Sequence, residues 1–327
     1  MRIGVFFDGF SSLAEMLEIA RRAEAAGAAS LWFAQHMGYR DALVWAAAAA
    51  QATRSVALVP TAISPYFWPP LPVAMAMATL AELAPGRLRL AVSVGNLLNL
   101  GESGLEPVAP LRVMRDYVEA LRALDAGDAV RREGRIHRLR GAKMAFAAGL
   151  GYPVYIASTG PQMLRLAGEI ADGVLLSAGL TLVSCRKCLA AAQSGLGGRN
   201  PSALRRAAFI NFHASRDGAA AKAAVLRKLA FLFRSRGHAE NISSSGLDID
   251  HEKIIQCLRE HDLDAATALM PAAAANAFAV AGTPAECGER LAEYLAVGLD
   301  EPIIEVAGTA EERALAFDVI RNVAARA

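Results

Sequence analysis

The sequence predicts a (β/α)8 barrel, because short β-rich runs alternate with longer runs of helical spacing eight times along its 327 residues. A doubly wound sheet is the alternative, and it would normally carry a glycine-rich dinucleotide turn after its first strand. Here the first strand is followed by Asp8-Gly9-Phe10-Ser11-Ser12, which lacks that spacing. We therefore interpret residues 1–327 as a single barrel domain.

The eight predicted strands are runs of β-branched, aromatic and other apolar residues bounded by turn residues. They cover residues 3–7, 30–34, 56–61, 87–94, 154–157, 173–176, 207–213 and 302–306. The helices that follow them are predicted at residues 12–26, 41–52, 71–83, 111–126, 161–171, 182–193, 218–233 and 310–324. Residues 135–146 alternate in polarity and predict a hairpin before the fifth strand.

A polar, turn-rich stretch at residues 235–253 interrupts the alternation after the seventh strand. Helical segments follow it before the eighth strand, and we place an insertion at about residues 234–275. An insertion at this point lies on the face of a barrel that carries active sites. A lid and a mobile surface loop are both compatible with the sequence.

The composition excludes several classes of protein. The chain has 34 Lys and Arg against 32 Asp and Glu, and 54% of its residues are hydrophobic, so it lacks the signature of a disordered protein. Its formal net charge of +2 gives no general reason to bind nucleic acid. Four cysteines cannot form a disulfide scaffold in a chain of this length, so we expect reduced thiols and a cytoplasmic location.

One uncharged segment, residues 55–80, is long enough to cross a bilayer. It contains five prolines, at positions 60, 65, 69, 70 and 72, and a spanning helix does not readily accommodate so many. We interpret the segment as a buried strand, a loop and the start of a helix, and expect no membrane partner. The apolar run at residues 3–7 is too short for a secretion signal.

The carboxyl ends of the predicted strands, where barrel enzymes hold their functional groups, are rich in small and amide side chains. Asp8 and Glu305 are among the few acids there. This lining suits a large planar ligand better than a metal ion, which needs several converging His, Asp or Glu side chains, so we predict no metal site. His36, after the second strand, is the candidate general acid or base, with a structural histidine as the alternative.

The fifth strand leads into a helix through Ser158-Thr159-Gly160-Pro161-Gln162-Met163. Gly160 lets the backbone approach a ligand closely, and Pro161 occupies its preferred place in the first helical turn. The backbone N–H groups of Gln162 and Met163 would then point outward at the positive end of the helix dipole. This arrangement predicts a phosphate-binding cradle, and an ordinary strand-to-helix turn is the alternative.

Several segments occur in the order and spacing of a known family. They are Ser30-Leu-Trp-Phe-Ala-Gln-His36, Pro60-Thr-Ala-Ile-Ser-Pro-Tyr66, Pro153-Val-Tyr-Ile-Ala-Ser-Thr-Gly-Pro161, Leu166-Ala-Gly-Glu-Ile-Ala-Asp-Gly173 and Ala281-Gly-Thr-Pro284. The chain resembles the bacterial-luciferase-like flavin and deazaflavin oxidoreductases over nearly its whole length. Within them it is most similar to the F420-dependent methylenetetrahydromethanopterin reductases.

The resemblance implies a barrel that binds F420 or FMN. Thr61-Ala62 would form a non-prolyl cis peptide against one face of the cofactor ring and leave the other face for substrate. His36 would be the catalytic residue, as a proton relay. The other implied cofactor-binding positions lie on the loops after the strands, and they are Ser64, Gly95, Asn96, Asn99, Thr159, Gly160, Gln162, Met163 and Ser177.

The implied reaction is hydride transfer between F420, or FMN, and a small organic substrate, by a protein expected to form homodimers. An FMN-dependent monooxygenase, supplied with reduced flavin by a separate reductase and using O2, is one alternative. A non-catalytic flavin-binding protein is the other. Asn96 and Leu180 stand where the family's sugar-phosphate dehydrogenases carry a glutamate and a lysine, so glucose 6-phosphate is not the expected substrate.

Overall fold

The computed structural model describes residues 2–146 and 149–325 of the chain. The strands in this part are Gly4–Phe7 (β1), Ser30–Ala34 (β2), Ala57–Thr61 (β3), Leu90–Val92 (β4), Val130–Glu133 (β5), Arg138–Ala142 (β6), Val154–Ala157 (β7), Gly173–Leu176 (β8), Arg205–Ala214 (β9), Ala279–Gly282 (β10) and Glu301–Glu305 (β11). Strands β5 and β6 form a separate antiparallel hairpin, and β10 pairs only with β9. The remaining strands build the barrel.

The barrel strands are hydrogen-bonded in the order β3-β2-β1-β11-β9-β8-β7-β4, and every pair is parallel. Bonds between the ends of this sheet close the ring. The Leu58 N–H donates to the Arg87 carbonyl at 2.9 Å, and the Ile63 N–H donates to the Ala91 carbonyl at 2.9 Å. The predicted (β/α)8 fold is therefore confirmed.

The helices lie outside the barrel and across one of its ends. In the described residues they are Leu13–Ala25 (α1), Ala42–Ala52 (α2), Pro70–Leu83 (α3), Leu97–Glu102 (α4), Pro110–Asp125 (α5), Pro161–Ile170 (α6), Leu182–Ser194 (α7), Gly218–Leu232 (α8), Ala239–Ser243 (α9), His251–Arg259 (α10), Leu263–Ala268 (α11), Ala273–Phe278 (α12), Pro284–Ala296 (α13) and Ala310–Ala324 (α14). Ser12 caps α1 as predicted, because its hydroxyl accepts the Glu15 N–H at 3.2 Å.

Small side chains let these helices approach the strands closely. Ala42, Ala46 and Ala49 on α2 are fully buried, and this helix packs against β2 and β3. The uncharged segment that contains the prolines forms β3 and most of α3. Within residues 2–146 and 149–325, no helix is long and apolar enough to cross a membrane.

The barrel interior is layered. Its middle is apolar, with Trp32, Val59, Tyr155, Leu175 and Ile303 packed together. Each of these side chains is at most 1% exposed, so this layer separates the two ends of the barrel from each other. It acts as a packed core rather than a channel.

A buried polar network fills the barrel at the amino ends of its strands. Arg89 and Glu301 form an ion pair, with 2.9 Å between Nη1 and Oε2, and their side chains are only 9% and 5% exposed. The Ser30 hydroxyl donates to Glu301 Oε1 and accepts the Trp32 indole N–H at 2.6 Å. Both oxygens of the buried carboxylate are therefore hydrogen-bonded.

The region after β9 contains several helices joined by turns. Helices α8 to α12 and β10 enclose a second hydrophobic core, which includes Val225, Phe233, Ile254 and Phe278. The rings of Phe233 and Phe278 meet edge to face with 5.1 Å between their centroids. The predicted insertion at residues 234–275 therefore shares a core with the flanking α8 and β10. A lid and a mobile surface loop both stay predictions.

Four details of the predicted elements were wrong. The hairpin lies at Val130–Ala142 and turns at Gly134, whereas the prediction placed its first strand where the turn is. Its strand β5 is Val-Arg-Arg-Glu and has no apolar alternation, because the ribbon is largely exposed. The four-residue strand β10 and the six-residue helix α4 were missed, and β4 is shorter than the predicted 87–94.

Candidate functional site

The mouth of the barrel, at the carboxyl ends of its strands, holds the predicted site. Phe209 on β9 and Ile303 on β11 pack in the barrel interior. Since side chains alternate along a strand, Asn211 and Glu305, each two residues further on, face the same interior at the mouth. The mouth therefore carries an amide and a carboxylate in addition to the groups on the loops.

His36 lies half-buried on the loop after β2, with its ring centroid 5.5 Å from that of Tyr39. Burial, and then the positive charge of Arg234, lower the pKa of His36 below its usual 6.5. Arg234 follows α8, so the chain leaving this helix approaches the same side of the mouth. The imidazole is therefore mostly uncharged near neutral pH. It can accept or relay a proton, but it is not present as the imidazolium acid.

A second group of ionisable side chains lies at the ends of β1 and β11, which are neighbours in the barrel. Lys228 on α8 reaches Glu305, with 2.8 Å between Nζ and Oε2. Burial raises the pKa of Asp8, the residue after β1, and the negative charge of Glu305 raises it further. Sequence reasoning noted both acids at strand ends but could not bring Lys228 to them, because it comes from a helix 77 residues earlier than Glu305.

The loop after β3 carries the residues that are predicted to contact one face of a cofactor ring. The peptide bond between Thr61 and Ala62 is cis, as the resemblance implies. Thr61 is 3% exposed, and its hydroxyl donates to the Val59 carbonyl at 2.8 Å. The Thr61 side chain is thus occupied within its own strand, so the groups that this loop can present to a ligand are its backbone and the Ala62 methyl group.

Ser64 and Gly95 join the loops after β3 and β4. The buried Ser64 hydroxyl donates to the Val94 carbonyl at 2.7 Å. Gly95 has φ +102°, and a Cβ atom there would lie 3.2 Å from Ser64 Oγ, so this contact favours glycine. The structure brings these two predicted residues together, and the Ser64 hydroxyl serves to hold the loops.

The two predicted asparagines lie on or beside α4. Asn96 is exposed and caps this helix, because its Oδ1 accepts the Leu98 N–H at 2.9 Å. Asn99 lies half-buried on the helix itself. Gln35 has a similar capping contact, since its Oε1 accepts the Ala42 N–H at 2.8 Å at the start of α2. The predicted Asn96 and the neighbouring strand-end amide Gln35 therefore both satisfy helix ends.

The predicted phosphate cradle lies at the start of α6. Gly160 is the exposed N-cap residue, its N–H donates to Ser158 Oγ at 3.0 Å, and its carbonyl accepts the Leu164 N–H at 3.0 Å. Within the described part of the chain, the N–H groups of Gln162 and Met163 have no acceptor. Two backbone donors thus remain available at the positive end of a ten-residue helix. Thr159 lies half-buried just before them.

A groove of about 540 Å³ borders this cradle between α5 and α6. Three arginines line it, Arg112, Arg115 and Arg165. Arg115 pairs with Glu169, and Arg112 lies 3.3 Å from Asp116, whereas no described carboxylate lies within ion-pair distance of Arg165. The groove therefore adds one guanidinium group without a described carboxylate partner, that of Arg165, near the positive end of α6.

The loop after β8 passes under the insertion. Gly179 has φ +73°, and a Cβ atom there would lie only 2.4 Å from Leu232 at the end of α8, so this position requires glycine. The Asn241 amide of α9 donates to the Gly179 carbonyl at 2.7 Å. The predicted Ser177 lies half-buried at the start of this loop. The insertion is therefore tied to the loop at the mouth.

Asn211 was not predicted, yet it is an unsatisfied group at this mouth. Its side-chain Nδ2 atom is buried and has no hydrogen-bond partner in the described residues. A Cβ atom on Gly179 would come within 3.4 Å of this nitrogen, which places the amide beside the loop after β8. A buried donor without an acceptor is uncommon in folded proteins and calls for an explanation, and a ligand acceptor supplies one.

Two other features of the sequence do not extend the site. Burial raises the pKa of Cys185 to about 12 and that of Cys188 to about 11, so both thiols of this Cys-x-x-Cys segment stay protonated. His213, at the end of β9, lies 3.0 Å from the Glu312 carboxylate, which also caps α14. Its ring is therefore engaged by the last helix.

The chain matches the family of luciferase-like monooxygenases over residues 1–301. It belongs to this luciferase-like family, and it is an oxidoreductase of that family. The resemblance that the sequence motifs suggested is confirmed.

Relatives within the family cover nearly the whole chain. The 5,10-methylenetetrahydromethanopterin reductase of Methanolobus tindarius is 28% identical over 306 residues, which are 92% of this chain and 93% of that protein. An F420-dependent glucose-6-phosphate dehydrogenase of Mycolicibacterium fortuitum is 30% identical over 318 residues, 92% and 90% of the two chains. The solved structure of the coenzyme F420-dependent tetrahydromethanopterin reductase of Methanopyrus kandleri superposes with a TM-score of 0.90 at 23% identity, over 99% and 97% of the chains.

Proposed function

We propose that this protein transfers a hydride between coenzyme F420 and a small organic substrate at the barrel mouth. The observation that carries the proposal is the pair of open backbone donors at the start of α6, next to a mouth with an unsatisfied buried amide. The two relatives compared above act as a methylenetetrahydromethanopterin reductase and as an F420-dependent dehydrogenase, and each is aligned over nine-tenths of both chains. F420 supplies the hydride chemistry, and the protein supplies binding and orientation.

The described residues fit such a cofactor in three places. The N–H groups of Gln162 and Met163, with Thr159 and Gly160 before them, would hold its phosphate. The backbone at Thr61-Ala62, together with Gly95, would lie against its ring. The Asn211 amide would donate to one of the polar atoms of the ring, because it has no acceptor in the protein.

The groove between α5 and α6 favours F420 over FMN as the occupant. FMN ends at its phosphate, whereas F420 continues from its phosphodiester into a tail of glutamyl carboxylates. Arg165 offers these carboxylates a guanidinium group without a described carboxylate partner. The same groove would add nothing to the binding of FMN.

The range of substrates that we propose is narrower than that of the family as a whole. Leu180, which stands where the sugar-phosphate branch is expected to carry a lysine, is 5% exposed, and its carbonyl accepts the Tyr294 hydroxyl at 3.0 Å. A buried leucine offers no charge to a sugar phosphate. We therefore propose a substrate like those of the methylenetetrahydromethanopterin reductases, with His36 as the neutral proton relay. A homodimer and a cytoplasmic location stay predictions.

Titration of the purified protein with F420, FMN and reduced FMN tests the proposal. We expect saturable quenching of F420 fluorescence with micromolar affinity and at least tenfold weaker binding of both forms of FMN. Tighter binding of reduced FMN than of F420 would replace the proposal with the monooxygenase alternative. Binding of none of the three would reject the cofactor proposal altogether.

The Asn211→Leu variant separates a ligand role from a structural one. Leucine has the same number and branching of side-chain heavy atoms and removes the unsatisfied donor, so we expect the unfolding free energy of the free protein to rise by about 1–2 kcal/mol. The dissociation constant for F420 should rise about tenfold, since one hydrogen bond to the ligand is lost. Urea unfolding and fluorescence titration measure the two effects. A variant that loses stability and keeps its affinity for F420 would contradict the role of Asn211.

A further inference from the structure

We propose that Asp8 exchanges a proton with the substrate at the barrel mouth, and that Glu305 and Lys228 position and tune it. The inference rests on the proposed function, because it assigns a step of that reaction. It concerns residues on three separate elements, the loop after β1, the end of β11 and the middle of α8.

The geometry places these groups together at the mouth. Strands β1 and β11 are neighbours, with Phe6 directly opposite Glu305, so the chain that continues to Asp8 passes beside that carboxylate. Lys228 extends from α8, and its Nζ lies 2.8 Å from Glu305 Oε2. Asn211, with its unsatisfied amide, faces the same mouth and indicates independently that a ligand binds there.

The surroundings of Asp8 make its charged form less favourable than it is in water. Burial raises its pKa above the usual 3.8, and the charge of Glu305 adds to this effect. The Phe10 N–H, which donates to Asp8 Oδ1 at 2.9 Å, and the positive charge of Lys228 lower the pKa, but by less. Arg40 lies beside the same loop and is directed to the carbonyls of Gly9 and Phe10. A carboxyl group with a raised pKa can give a proton at a pH where an ordinary aspartate cannot.

The chemistry of hydride transfer requires such a group. Bound F420 in its reduced form would supply a hydride, two electrons, to a substrate carbon. In 5,10-methylenetetrahydromethanopterin this carbon bridges two nitrogens, so one C–N bond breaks and its electron pair stays on the released nitrogen. That nitrogen would take the proton as the O–H bond of Asp8 breaks, and the hydride would complete a methyl group on the other nitrogen. Asp8 is left as the carboxylate and regains its proton from solvent. In the oxidative direction the same carboxylate accepts the proton.

A structural role for Asp8 is the competing explanation, because its Oδ1 forms a turn with the Phe10 N–H. The Asp8→Asn variant distinguishes the two, since asparagine keeps the turn and cannot ionise. The folded state favours the protonated carboxyl, so wild-type stability falls as pH rises from the unfolded pKa through the raised folded one. Asp8→Asn should therefore be at least as stable as wild type at neutral pH.

The first test is infrared titration of the carboxyl C=O band without cofactor. We expect a band that titrates above the ordinary aspartate range and disappears in Asp8→Asn. Its midpoint should fall in Glu305→Gln, which removes a negative charge, and rise in Lys228→Met, which removes a positive one. Asp250→Asn, an exposed helix cap, is the matched control and should leave the band unchanged. A band unaffected by Asp8→Asn would overturn the proposal.

The second test uses F420 and, as probe substrate, 5,10-methylenetetrahydromethanopterin. Asp8→Asn should bind F420 within threefold of wild type and lose about 100-fold in turnover, the size of effect typical of a general acid. Turnover at the wild-type rate would overturn the proposal. Failure of the wild-type protein to bind F420 would instead reject the proposed function, so the two failures are distinguishable.

Discussion

Replacing Glu301 with alanine should lower the free energy of unfolding by about 3–5 kcal/mol, because it leaves Arg89 as a buried charge without its partner. Glu301 is 4% exposed at the amino end of the barrel, far from the mouth. Its carboxylate also accepts from Ser30, so the substitution removes an acceptor as well as a charge. Urea unfolding followed by circular dichroism at neutral pH measures the loss.

The electrostatics of the pair explain why the loss should be large. Burial is the largest single influence on Arg89 and opposes its charge, but the Glu301 carboxylate, together with Tyr155, holds the pKa of the guanidinium group above its usual value. Without the carboxylate, burial dominates and opposes the charge of the guanidinium group. An arginine does not deprotonate to escape this cost, so the folded state must bear it or distort.

Two comparisons make the prediction specific. Glu252→Ala removes one partner of an exposed pair with Arg236, whose side chains are 69% and 68% exposed, and should cost at most about 1 kcal/mol. The double variant Arg89→Met, Glu301→Leu should be more stable than Glu301→Ala, because neither charge remains buried. A loss below about 1 kcal/mol for Glu301→Ala would show that water reaches this layer and screens the arginine.

The barrel could be predicted from sequence because each βα unit carries its own local pattern. A buried strand such as Ser30–Ala34 and the capped helix after it are visible within about 20 residues. The exceptions are elements without such a pattern. Strand β10 is Ala-Val-Ala-Gly. Its small residues do not predict a strand by themselves, and the strand is recognised only from its pairing with β9.

The residues of the candidate site also differ in whether local sequence could predict them. Gly160 and the open N–H groups after it are properties of a local strand–turn–helix sequence, so they could be predicted. The partnership of Asp8, Glu305 and Lys228 spans almost the whole chain and depends on barrel closure and on the path of α8. No local pattern in the sequence marks it.

The chemical type of a side chain did not predict ligand contacts correctly for amides near the start of a helix. Gln35 and Asn96 have the hydrogen-bonding groups that a ligand would use, but in the structure each accepts a backbone N–H at the start of a helix. Asn211 lies within a strand, where its side chain has no such local partner. The residue that remains available for a ligand is the one that regular structure leaves unsatisfied.

The Gly160→Asp variant should lose at least about 1,000-fold in affinity for F420, the largest effect on binding that we expect. A carboxylate at this position would lie about 4 Å from a bound phosphate, where two like unit charges near a protein surface repel by about 4 kcal/mol. Each 1.4 kcal/mol corresponds to about tenfold in the dissociation constant. The variant should nevertheless fold, because Gly160 has φ −75° and ψ 130°, and a Cβ atom there meets only Ser158 Oγ, at 3.6 Å.

The protein should also be as stable as wild type, since aspartate is a preferred N-cap residue and would accept the open N–H groups of α6. These are the donors that the phosphate needs, so the substitution acts by occupying them as well as by its charge. Gly160→Asn separates the two effects, because asparagine caps the helix equally well and has no charge. We expect about a tenfold loss for Gly160→Asn. In fluorescence titrations at two salt concentrations, the loss relative to wild type should become smaller at high salt for Gly160→Asp only. Wild-type affinity in both variants would place the phosphate elsewhere, even if F420 itself binds.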